Sequence, residues 1–226
     1  MRRPRLLVTG FGPFPGVPEN PSGWLMERLS LPDGLKGIAA EARFAVLPTD
    51  WQAGPAAFEA LWQAHSPDIA VQFGVSRRAR GFELERLARN RAEPALADAA
   101  GKAAPSCRVD PEGPETWRGS LPIRRIRNAL EAAGHPAGLS DDAGLYLCNA
   151  LYYRAGRLAS QAGRLSMNGF VHLPFLEGQT PPAATERPEA ETAPAFAMAH
   201  EAMAAGARLI LEVAVEAWRE RAEEAA

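Results

Sequence analysis

Cysteine is scarce in this chain, with two residues in 226, Cys107 and Cys148. They stand in different contexts, so a disulfide framework is excluded. No Cys/His spacing of the kind that holds zinc occurs, and no metal or cofactor is expected. Neither sign of charge is in excess. The 25 Lys and Arg against 27 Asp and Glu leave a net charge of -2, which gives no reason to expect nucleic acid or an anionic membrane as partner. No apolar run approaches the roughly 18 residues of a membrane span. The run behind Met1-Arg2-Arg3-Pro4-Arg5 breaks at Thr9-Gly10, too early for a signal peptide. No internal repeat and no second linker interrupt the chain. These absences point to a cytoplasmic protein, and the length allows one large domain or two small ones and leaves a homo-oligomer open. The 46% hydrophobic content is enough for a sizeable core.

The order of elements points to a class. Arg5-Leu6-Leu7-Val8-Thr9 reads as a buried strand running into Gly10-Phe11-Gly12-Pro13-Phe14-Pro15-Gly16, a loop dense in glycine and proline. Asn20 then caps a helix whose first residue is Pro21. A second strand spans about Ile38 to Leu47, and a helix follows from Trp51 to His65. Ile69 to Phe73 is a third buried strand, ending at Gly74. Strand, helix and strand in alternation signal a mostly parallel sheet with helices on its faces, an α/β three-layer sandwich. Phe82 to Ala88 alternates apolar and charged residues, as a half-exposed strand would. Arg77-Arg78-Ala79-Arg80 before it reads as a solvated loop. Residues Ala92 to Pro114 read as irregular, and Pro122 to Ala133 as a helix. Glu177 to Pro194 reads as a mobile surface loop, and a long alanine-rich helix runs from about Pro194 to Glu223.

Two stretches carry chemistry. Gly144 to Tyr153 passes from a short apolar run into a helical pattern, with Leu147, Leu151 and Ala155 four apart. Cys148 then stands at a helix start, where unpaired backbone N–H groups favour a thiolate. A buried structural cysteine is the plainer reading. Further on, Gly169-Phe170-Val171-His172-Leu173 reads as a short strand ending at Pro174, with His172 placed to face a cleft. A cysteine nucleophile needs such a base. Phe11 and Phe14 are unusual in a loop. They either tuck beneath it or form an aromatic wall for a flat apolar ligand. A dinucleotide site at Gly10-x-Gly12-x-x-x-Gly16 is a weak match, because Phe and Pro obstruct the approach of a pyrophosphate.

These blocks, taken in order, resemble pyroglutamyl peptidase I. The resemblance is carried by Val8-Thr9-Gly10-Phe11 with Pro13-Phe14 and Asn20-Pro21-Ser22, by the strand ending at Gly74, and by Leu84-Glu85-Arg86-Leu87-Ala88 with Asn90. Ala143-Gly144 with Tyr146 and Cys148-Asn149, and then Gly169 to Phe175, complete the set. The resemblance implies an α/β single domain over residues 1–226 and a cysteine peptidase that removes pyroglutamate from the N-terminus of peptides. It implies Cys148 as nucleophile, His172 as base and acid, and Glu85 as the third member. It implies a lactam pocket from Phe11, Phe14, Asn20, Leu96, Tyr146 and Leu147. One departure stands out. Ala95 occupies the place where the resemblance puts an arginine that supports the oxyanion. A divergent or impaired member, acting on another amide or lactam or binding without turnover, is the competing expectation.

Overall fold

The computed structural model describes residues 3–38, 40–179 and 196–225. Its centre is a six-stranded sheet. Four strands run parallel: β1 (Arg5–Phe11), β2 (Glu41–Leu47), β3 (Ile69–Val75) and β8 (Met167–Leu173). Beyond β8 lies β4 (Phe82–Glu85), antiparallel to it, and then β7 (Ala137–Ser140), parallel to β4. The order across the sheet is β2-β1-β3-β8-β4-β7. Its inner strands are apolar on both faces because both faces are covered.

Helices α1 (Pro21–Ser30), α3 (Ile123–Ala132) and α5 (His200–Glu224) cover one face. Leu6, Val8, Val71, Phe73 and Val171 meet Leu25, Leu130, Ile210 and Trp218 there. On the other face lie α2 (Ala53–His65) and α4 (Leu147–Ser160). Leu7, Phe11, Ala70 and Phe170 meet Phe58, Trp62, Leu151 and Tyr152. Burying each large apolar side chain contributes about 1.5–3 kcal/mol, so the alternation of side chains along β1 and β3 fixes the register of the sheet. No helix among the described residues is long and apolar enough to cross a membrane.

Several boundaries differ from the sequence reading. The strand expected over Phe82 to Ala88 divides in two. Phe82–Glu85 stays in the main sheet, while β5 (Leu87–Arg89) pairs with β6 (Thr116–Arg118) in a separate ladder. Glu83 is only partly exposed and Glu85 is wholly buried, so the strand is not the half-exposed one expected. β6 was hidden in the sequence by its length of three residues, and β7 by Gly138, Ser140 and its lack of β-formers. The last helix begins at His200, after β9 (Phe175–Leu176) pairs with β10 (Ala197–Met198). Of the loop expected over Glu177 to Pro194, residues 180–194 lie outside the described residues.

Candidate active site

The chain enters α4 through Gly144, whose φ of +77° suits a residue without a side chain. Tyr146 is the N-cap in extended backbone, and Leu147 is the first helical residue. Cys148 therefore falls in the first turn, where backbone N–H groups have no partner within the helix. Leu147, Leu151 and Tyr152 bury themselves in the core on the α2 and α4 face of the sheet, the lower core, which pins that turn against the sheet. The sulfur lies directly over β3. A Cβ built on Gly74 would stand 2.8 Å from Cys148 Sγ and 2.8 Å from Phe170 Cζ. Glycine at 74 is what lets the thiol approach the sheet.

His172 is on β8, one residue from its end, beside Gly74 in the ladder. Its Nδ1 meets Glu85 Oε1 at 2.8 Å, and its ring interacts electrostatically with the Cys148 side chain. With Nδ1 engaged by the carboxylate, Nε2 is left for the thiol. Glu85 is fully buried and His172 is 6% exposed. Burial opposes a charge on the imidazole. The interactions with Cys148 and Glu85, and the negative charge of both, outweigh it and push His172 up from 6.5 to about 10. Tyr152 steadies the glutamate from below, donating its hydroxyl to the Glu85 carbonyl at 2.9 Å. Burial, followed by the Glu85 charge, raises the pKa of that phenol. The structure thus brings Cys148, His172 and Glu85 together from three separate elements.

The remaining residues of the expected pocket divide. Phe14 is half-buried and closes a tight turn with Val17 through paired backbone hydrogen bonds of 3.2 and 2.8 Å. It belongs to neither core cluster. Phe11 differs from expectation. It is 3% exposed and packs in the lower core, as does Leu147 at 1%. The reason is the sheet itself, because Phe11 is the last residue of β1 and not a loop residue. Asn20 is buried as the N-cap of α1. Its Oδ1 accepts from Ser22 N and Ser22 Oγ, and its Nδ2 donates to the Gly12 carbonyl at 2.9 Å. Leu96 is half-buried, and its carbonyl accepts from Trp51 Nε1 at 3.1 Å. Tyr146 stacks edge-on against Trp51, with ring centroids 5.2 Å apart, and donates its hydroxyl to Ala97. Trp51 therefore ties Leu96 to Tyr146. Ala95 is exposed.

Three residues near the site have parts that the sequence did not assign. Cys148-Asn149 and the strand ending at Gly74 do belong to the resemblance, and one of the glutamates of residues 82 to 88 could have been expected to line a site. Asn149, fully buried, accepts from Arg89 N at 2.8 Å and donates to the Arg89 and Arg91 carbonyls at 2.8 and 2.7 Å. It fastens the start of α4 to the strand that follows Glu85. Gly74 is the second. Glu83 is the third, facing His172 across the ladder. Only the alternation of residues 82 to 88 hinted at it. Among the described residues, Glu83, Glu85 and His172 are the one group whose donor atoms converge closely enough to hold a metal ion.

Comparison with known proteins matches the chain over nearly its whole length. The family model described as pyroglutamyl peptidase matches residues 4–217. A pyrrolidone-carboxylate peptidase of Ralstonia nicotianae is 32% identical over 209 residues, which span 92% of each chain. Its counterpart from Pyrococcus furiosus is 32% identical over 188 residues, 79% of this chain and 89% of the relative. Among solved structures, pyroglutamyl peptidase I of Bacillus amyloliquefaciens superposes with a TM-score of 0.82 at 25% identity, over 95% of this chain and 98% of that one. A variant of the Pyrococcus furiosus pyrrolidone carboxyl peptidase superposes with a TM-score of 0.81 at 29% identity, over 95% and 99%. With a matching family model over most of its length and relatives of this similarity, the chain belongs to the pyroglutamyl peptidase family.

Proposed function

We propose that this protein is a cysteine exopeptidase that removes pyroglutamate from the N-terminus of peptides, with Cys148 as nucleophile. The observation that carries the reading is the convergence of Cys148, His172 and Glu85 in a chain of this family. The sulfur, as thiolate, attacks the carbonyl that joins pyroglutamate to the next residue. The oxyanion forms near the first turn of α4, whose unpaired N–H groups and dipole favour negative charge. His172 gives its proton to the departing amine as the C–N bond breaks, leaving a thioester on Cys148. Water then attacks the thioester, His172 takes its proton, and the thiol and free pyroglutamate are restored. Glu85 holds the imidazole in orientation throughout.

The substrate suits the surroundings. Pyroglutamate is a flat neutral ring with one N–H and one C=O, and apolar walls with a few polar groups are enough to bind it. Phe14, Leu96 and Tyr146 offer such walls. The buried Phe11 and Leu147 offer apolar backing, and Asn20 orders the Gly12 loop. Purified protein should hydrolyse a pyroglutamyl-amidomethylcoumarin and leave the prolyl and glutamyl analogues intact, while Cys148→Ala is inert. Equal turnover by Cys148→Ala would overturn the reading. The exposed Ala95 favours a second reading, a divergent member whose substrate is another lactam or amide. Labelling of Cys148 by substrate-like electrophiles without pyroglutamyl turnover would support that reading.

A further inference from the structure

β4 carries a second carboxylate to which the chemistry above gives no part. Glu83 stands directly opposite His172 in the antiparallel ladder. It is two residues before Glu85 and so on the same face of the strand. One donor atom from each of Glu83, Glu85 and His172 lies within 4.8 Å of the other two. Glu85 is sealed in the interior, whereas Glu83 is partly exposed, toward the rim. The charged groups that face Glu83 are His172 on β8, Glu85 on β4, and Arg78 and Arg80 in the loop behind β3. α4 contributes Cys148, which interacts with His172. On β7 the neighbour is Gly138, which has no side chain. Of the two arginines, Arg78 is shared with Asp142 at 3.5 Å.

We propose that Glu83 is a positioning residue of this active site, a second counter-charge that keeps His172 protonated to higher pH than Glu85 alone would. The proposal rests on the Cys148–His172 reading of the site. Burial raises Glu83 above its ordinary value, with the His172 charge pulling it back down and the Glu85 charge pushing it up. Once ionised, Glu83 adds a negative charge beside the imidazolium that must protonate the leaving amine. The alkaline limit of activity therefore moves upward. A unit charge at 4.8 Å, in a medium as polar as water, is worth about 0.6 of a pH unit on its neighbour, and more where water is excluded.

The test is the titration of His172 itself, by nitrogen-15 NMR of the resting protein labelled at histidine. The Glu83→Gln midpoint should fall below that of wild type by about 0.6 of a pH unit or more, with Glu83→Asp between the two. The alkaline limb of kcat/KM should move by the same amount, with KM at neutral pH unchanged. Thermal melts of each variant establish that the fold is intact. Superimposable His172 titrations overturn the proposal, as does a rise in KM with an unmoved pH profile. If the wild type turns over no pyroglutamyl substrate, the functional reading fails, and the NMR comparison still decides the part played by Glu83.

Discussion

Replacing Gly74 with alanine adds one methyl group at the point where the sheet meets the nucleophile. The glycine is not in the left-handed region, so its backbone accepts alanine without strain. All of the effect must come from the space around the new Cβ. That atom would lie 2.8 Å from Cys148 Sγ, 2.8 Å from Phe170 Cζ and 3.2 Å from Phe170 Cε1. Ordinary contact begins near 3.5 Å, so the sulfur or the ring has to yield by about 0.7 Å. The ring has little freedom. Phe170 is 1% exposed and lies between Tyr152 and His172, with centroids 5.9 and 4.9 Å away. The sulfur, on a partly exposed side chain, moves more easily. A shift of that size at the reacting atom corresponds to roughly a hundredfold loss in rate. The crowding costs about 1–3 kcal/mol of stability, or a fall in Tm of roughly 2–12 °C for a chain this long. The assays are kcat/KM on a pyroglutamyl-amidomethylcoumarin, the rate of inactivation by iodoacetamide, and a thermal melt. Wild-type values for both rates would refute the placement of Cys148 over Gly74. So would a collapse in Tm with full activity per folded molecule, because the crowding would then fall on the core.

Cys107 is exposed and Cys148 is partly buried, so both react with iodoacetamide. Activity should be lost in step with Cys148 alone, and Cys107→Ser should be inactivated at the wild-type rate; peptide mapping that ties inactivation to Cys107 would reverse the assignment. Phe14 belongs to neither core cluster, so Phe14→Ala should raise KM severalfold with a loss of stability well below the roughly 3–5 kcal/mol of a core Phe→Ala. A large drop in Tm with KM unchanged would make it a core residue. His172 is raised to about 10 in the folded protein, from 6.5. Its stabilising contribution is therefore complete below about 6.5 and is lost as pH rises through about 10. The stability gap between wild type and Glu85→Gln in urea should narrow between about pH 6 and about pH 10.5, and a constant gap would contradict the pairing.

Much of this architecture was legible because the inner strands announce themselves. β1, β3 and β8 are short apolar runs bounded by Gly, Pro or Asp, and sheets covered on both faces need such runs. The N-cap at Asn20 and the helix start at Cys148 were legible for a local reason, since capping and the first turn depend on neighbouring residues. What escaped depends on partners distant in sequence. β7 is an edge strand that exists because β4 lies beside it. Phe11 reads as a loop residue in Gly10-Phe11-Gly12, yet β1 extends through it, and Gly10 lets α1 come close enough that a Cβ there would lie 2.2 Å from the Ser22 carbonyl oxygen. Glu83 looked like the solvent side of an alternating strand. It faces His172 because β4 runs antiparallel to β8, a reversal that no local pattern signals.

If Cys148 carries the acyl group, a covalent intermediate must form on it during turnover. A pyroglutamyl ester or activated amide is mixed with the enzyme, quenched in acid within milliseconds, and the intact protein is weighed before peptide mapping. One pyroglutamyl group per chain is expected, held as a thioester on the peptide containing Cys148, formed before free pyroglutamate accumulates and absent from Cys148→Ala. Turnover with no acylated protein at any time, or an acyl group mapped to another residue, would contradict it.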